Sequence, residues 1–199
     1  MKDVVDAGDY YEETFKGLES AERRFAGITF EECEFIDCDF SASQFRCCKF
    51  TNCDFKRCNL SLADFSNSQL FGISFSDCKL VGVDWTKADW PKYYRDFELK
   101  FQRCLLNDAS FYGLTLNELV LDECKVHDAD FREGNFTDSQ MTNCTFDRSL
   151  FMHTNLERVD FSDSTGCSID VLANELKGAT FCSFEAVHLL ESLGIVLVD

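Results

Sequence analysis

Three kinds of residue in this 199-residue sequence could do chemistry: twelve cysteines, three histidines and thirty-six carboxylates. Cysteine thiolates bind zinc or close disulfides, and both uses show in their spacing. Here the spacing points elsewhere. Nine cysteines (Cys33, Cys38, Cys48, Cys53, Cys58, Cys78, Cys104, Cys124, Cys144) each lie two residues before a large apolar residue, not in the C-x-x-C pairs of a zinc site. His127, His153 and His188 stand singly, with no nucleophile constellation near them in sequence. Abundant carboxylates do not by themselves make a paired acid–base site, and no glycine-rich phosphate loop is visible. The sequence therefore predicts no catalytic residue, no metal and no cofactor. The thiols read as small buried packing residues.

What positions these residues is a beat of five. A Phe, Leu or Trp falls at every fifth position from Phe25 to Trp90, and the beat resumes one residue late at Phe101 and runs to Phe161. Each unit is a small residue, a polar residue, a large apolar residue and two mostly polar ones, as in C-D-F-S-A (38–42) and A-D-F-R-E (129–133). A period of five is neither helical nor that of a plain strand. It suits a short extended piece plus a corner: the small and large residues, two apart, point inward, and the polar pair turns the chain. Cysteines twenty apart (38, 58, 78; then 104, 124, 144) suggest that four units close one turn. Stacked turns at ~4.8 Å make a rod on the order of 30 Å long from the well-formed units, in which each coil buries its large residues against the next.

The formal net charge is −17, with 45% apolar residues. So acidic a chain repels nucleic-acid phosphates, which argues against direct nucleic-acid binding. No run approaches the roughly eighteen apolar residues of a membrane span, and the start lacks a basic region followed by a long apolar stretch. A cytoplasmic location is expected.

The A-[D/N]-[L/F]-x-x units resemble the pentapeptide repeat family, whose members adopt an all-β, right-handed quadrilateral β-helix. A finer resemblance lies in VGVDWTKADWP (81–91), LNDASFYGL (106–114) and CNLSL (58–62), which are similar to the albicidin-resistance members. The ending HLLESLGIVLV (188–198) is similar to the tails of those members and of the Qnr quinolone-resistance group. The resemblance implies a homodimer, joined at its C-terminal ends, that binds DNA gyrase, with topoisomerase IV as a second candidate, and protects it from a poison. The alternative is a scaffold or interaction module with no topoisomerase partner.

The predicted organisation is an N-terminal segment and cap over 1–24, a β-helix over 25–181 interrupted at 91–100, and a C-terminal helix and strand over 182–199. The stretch 16–24, where Ser20 replaces a large beat residue, reads as a small excursion. Three features are candidates for partner binding. The outward position two after the beat carries Asp108, Glu118, Glu123, Asp128, Glu133, Asp138 and Asp163, either as a solvated face or as a ladder resembling duplex DNA. The interruption offers Tyr93, Tyr94 and Arg95, types enriched at interface hot spots, after Pro91, which cannot donate to a backbone ladder; the alternative is an insertion packed on its own coil, with Phe97 and Leu99 returning inward. At the C-terminus, Ser183 is the expected helix cap and Gly194 the expected stop. Val187, Leu190, Leu193, Ile195 and Leu197 are the expected dimer contacts, with covering of the last coil as the other role.

Overall fold

The computed structural model, which describes residues 4–91 and 97–196, winds the chain into about eight turns of a right-handed quadrilateral β-helix. The handedness is the one that parallel strand connections favour. Registers confirm four units per turn: Phe15 lies beside Phe35, Phe35 beside Phe55 and Phe55 beside Phe75, all in parallel. We name the four faces by their beat residues in the second half: the first carries Phe101, the second Leu106, the third Phe111 and the fourth Leu116.

The local reason for the square section is a tight turn after each side. The N–H of a small residue donates to the preceding beat carbonyl, as from Ser43 to Phe40 at 3.0 Å and from Ala109 to Leu106 at 3.2 Å. The third residue of such a turn needs positive φ, and Ala42 (53°) and Asp108 (59°) adopt it. That residue then binds the next coil, as where Asp108 N–H donates to His127 O at 2.9 Å. Inside, beat residues form columns. On the third face Phe25, Phe45, Phe65, Trp85, Phe111, Phe131 and Phe151 stack in sequence, with ring centroids 5.0–6.0 Å apart. Offset stacking of this kind adds to the burial of large apolar area.

The small position holds the column together by hydrogen bonding to the coil below. The Cys58 thiol donates to Phe35 O at 3.3 Å and that of Cys124 to Phe101 O at 3.4 Å. Ser68 does the same to Phe45 O at 2.8 Å. All twelve cysteines are free, and the nine at the small position are buried. Burial pushes the Cys53 thiol up to about 12 and raises that of Cys48, so both are neutral at physiological pH.

Four expectations change. The coil begins well before residue 25, because Asp9–Tyr11 pairs with Thr29–Glu31 and Thr14–Lys16 with Glu34–Ile36. Ser20 does not mark an excursion: it is buried at the beat position, and its carbonyl accepts from the Ser43 hydroxyl at 2.6 Å. The interruption is narrower than 91–100. Phe75 pairs with Phe101, a step of twenty-six where every other turn takes twenty, so six residues are in excess. Phe97 and Leu99 are already buried and Lys100–Gln102 is a strand, which assigns the excess to 91–96. Trp90 packs against the core, its indole N–H donating to Trp85 O at 2.7 Å and its ring edge-on to Phe97 at 5.0 Å.

The fourth change concerns the C-terminus. Helix α1 spans Ser183–Ser192, and its cap residue is Cys182, not Ser183, with no side-chain capping bond. Gly194 ends it as expected, at φ 73° with its N–H on Glu191 O. Ile195 and Val196 belong to no strand. Leu197 lies outside the described residues. α1 closes the last coil through an unexpected residue: Glu185 is buried, and its carboxylate accepts from Cys167 N–H at 3.0 Å, satisfying a backbone donor that the end of the coil leaves open. No helix among the described residues is long and apolar enough to cross a membrane.

Candidate partner-binding surface

The outward carboxylates occupy positive-φ corners because those corners point the side chain away from the core. Asp108, Glu118, Glu123, Asp128, Glu133 and Asp138 have φ between 53° and 62°, and all six are exposed. They do not form a single ladder. Asp108 and Asp128 share the corner between the second and third faces. Glu133 stands between the third and fourth, Glu118 and Asp138 between the fourth and first, and Glu123 between the first and second. Residues twenty apart stack at the spacing of neighbouring strands, ~4.8 Å, so each corner is its own column.

The columns are met by partners one coil on, two of them guanidiniums. Arg148 chelates Asp128 (Nη2–Oδ2 2.6 Å, Nε–Oδ1 2.7 Å), Arg158 does the same to Asp138, and His153 Nδ1 lies 2.9 Å from Glu133 Oε1. The Arg148 and Arg158 guanidiniums hold the Asp128 and Asp138 carboxyls below the usual carboxylate range. On the corner that continues to Glu123, Arg57 binds Asp37 and Arg103 binds Asp77. Asp108, Glu118 and Glu123 make no ion pair among the described residues; the charges of Arg148 and Arg103 reach Asp108 and Glu123 only at longer range. These partners were missed in the sequence, although the twenty-residue period would have found them: Arg148, His153 and Arg158 each follow their acid by twenty.

Tyr93, Tyr94 and Arg95 lie outside the described residues. The C-terminal candidates divide cleanly. Val187, Leu190, Leu193 and Ile195 are exposed together with Phe184, whereas Leu189 and Glu185 face the coil. α1 therefore uses one side to cover the last turn and leaves an apolar side in water. Among the described residues, no group of three or more His, Cys, Asp or Glu could hold a metal ion.

A pentapeptide repeat region family model matches residues 28–100 and 97–161. The chain belongs to the pentapeptide repeat family. A search of the curated proteins finds no match. Among solved structures, a trypsin-treated variant of QnrB1, a plasmid-mediated fluoroquinolone resistance protein, superposes with a TM-score of 0.62 at 23% identity, covering 97% of this chain and 92% of that one. Full-length QnrB1 superposes at 0.57, also at 23% identity, covering 94% and 100%. At this identity the likeness is one of fold: a pentapeptide-repeat rod of the QnrB1 type over nearly the whole chain.

Proposed function

We propose that this pentapeptide repeat protein binds a type II DNA topoisomerase, chiefly DNA gyrase with topoisomerase IV as a second candidate, and protects it from a poison of the albicidin or quinolone class. It acts in the cytoplasm, without catalysis, as a homodimer joined through its C-terminal segments. The observation that carries the reading is a square rod with unneutralised carboxylates on its corners, in a fold shared end to end with a fluoroquinolone resistance protein. A rod of about eight turns at ~4.8 Å per turn with net charge −17 carries about one charge per 2.3 Å, a lower density than the ~1.7 Å of duplex DNA, so the likeness is partial.

In this mechanism the rod occupies the positively charged DNA path of the enzyme. Asp108, Glu118 and Glu123 supply its free charges, while Asp128 and Asp138 exchange their arginines, and Glu133 its histidine, for cations of the partner. Tyr93, Tyr94 and Arg95, within the six-residue excess, supply the specific contacts that separate protection from simple competition. Val187, Leu190, Leu193, Ile195 and Leu197 form the dimer contact. An apolar helix side left exposed next to an acidic rod supports this assignment, because burying it twice in an isologous interface removes it from water.

The reading is tested by competition: purified gyrase is bound to labelled linear DNA and titrated with the protein. Displacement that weakens as salt rises is expected, since surface charge is screened. No displacement at any salt concentration contradicts the reading and favours a scaffold without a topoisomerase partner.

A further inference from the structure

Within the second half, the rod exposes its large apolar side chains on the third face. Tyr112 and Met152 stand in one outward column with Arg132 between them, Leu150 lies across the beat from Met152, and Leu172 follows in the next turn. Tyr112, Leu150 and Met152 are each about half exposed, and Leu172 is 78% exposed. On the other faces of this half the outward positions are mainly polar, and the apolar exceptions Leu105 and Val120 are half-buried. The cations here are not free: Arg132, at the centre of the patch, chelates Asp130 (2.9 and 2.8 Å) and lies 5.8 Å from the centre of the Tyr112 ring, and Arg148, on the rim beside Leu150, is held by Asp128. The patch lies on turn and bridge backbone that is hydrogen-bonded from coil to coil, as from Glu133 N–H to Met152 O at 2.9 Å, and binding to it costs little ordering entropy.

We infer that this face is an interaction surface for a basic protein partner that presents an apolar side chain ringed by lysine or arginine. The inference rests on the topoisomerase reading and names a contact which that reading leaves open. Charge selects the occupant. Exposed Asp108 borders the patch on one edge and Glu133 on the other, within a half of the chain that carries seventeen acidic and six basic residues. A second copy would bring these carboxylates against their own kind, and an anionic membrane or a nucleic acid would be repelled. A basic protein surface gains from both parts of the patch: apolar contact at the centre and opposite charge at the rim.

The test measures binding of the full-length protein to purified gyrase. In the variant Leu150→Ser/Met152→Ser, serine takes outward positions that Ser110 and Ser66 already hold elsewhere on this face, so the fold is retained; circular dichroism and melting temperature check this. Tyr112→Ser is the second variant, and Leu62→Asn, at an exposed apolar corner of the first half, is the control. Both patch variants are expected to weaken binding about tenfold, and the control less than about twofold. If wild type binds and the patch variants bind equally well, this inference is overturned while the topoisomerase reading stands. If wild type does not bind, the reading itself fails and takes the inference with it. A change of oligomeric state in the patch variants by light scattering would assign the face to self-association and also overturn the inference.

Discussion

At the scale of single residues, the thiols show how position decides chemistry. A cysteine at the small position is buried and bonded to a carbonyl of the coil below, and burial keeps thiols such as Cys53 and Cys48 neutral. Cys47, one residue earlier in register than Cys48, is exposed on a corner. A thiol reagent added to the native protein is expected to modify Cys47 first and to reach the nine column thiols only after denaturation, as peptide mapping of the labelled sites would show. Rapid native labelling of Cys53 or Cys124 would contradict the packing assignment. The acidic corners make a second prediction. Asp37, Asp77, Asp128 and Asp138 have carboxyls held low, each first of all by the hydrogen bond to its arginine. Groups with depressed folded values stabilise the fold above their unfolded value, about 3.9, and lose that contribution as pH falls through the folded one. Melting temperature is therefore expected to hold through neutral pH and to fall below about pH 4, modestly because these pairs are exposed.

At the scale of elements, the insertion and α1 are the departures from the repeat. Deleting residues 91–96 restores a twenty-residue step and joins Trp90 to Phe97, which are already in ring contact. The deleted protein is expected to keep its circular dichroism and melting temperature while losing protection of the topoisomerase. Retained protection would move function to the rod surface alone. For α1, Leu190→Asp is expected to convert dimer to monomer in light scattering without unfolding the coil, because Glu185 and Leu189, not Leu190, face the core. Most of this scale was legible in the sequence, since a fivefold apolar beat admits few other folds and the one-residue slip marks the insertion. Ser20 was misread because polarity is a poor guide where a small hydroxyl residue can be buried and still have its backbone bonded. Glu185 was invisible for the related reason that a buried carboxylate needs a specific donor, Cys167 N–H, which only the fold brings near. The width of the insertion was overestimated because Phe97 and Leu99 already resume the inward pattern, while the beat becomes countable only at Phe101.

At the scale of the whole molecule, the rod is held by its core and presented by its corners, and the two are separable. Phe131 lies in the stacked column of the third face between Phe111 and Phe151. Phe131→Ala is expected to cost about 3–5 kcal/mol of stability by denaturant titration while leaving corner charge unchanged. Asp108, Glu118 and Glu123 changed together to asparagine or glutamine should leave stability nearly untouched and weaken partner binding. The division of the acids among four corners, and their pairing with cations twenty residues on, was the least legible feature of the sequence. It depends on which side chains the square section stacks, not on the composition of either half. The central claim is protection of a topoisomerase, and the direct measurement is supercoiling by purified gyrase poisoned with albicidin or a quinolone, titrated with this protein. The account predicts that supercoiling recovers at low protein concentration and is inhibited at high concentration as the rod competes with DNA. Neither rescue nor inhibition across the titration would contradict it.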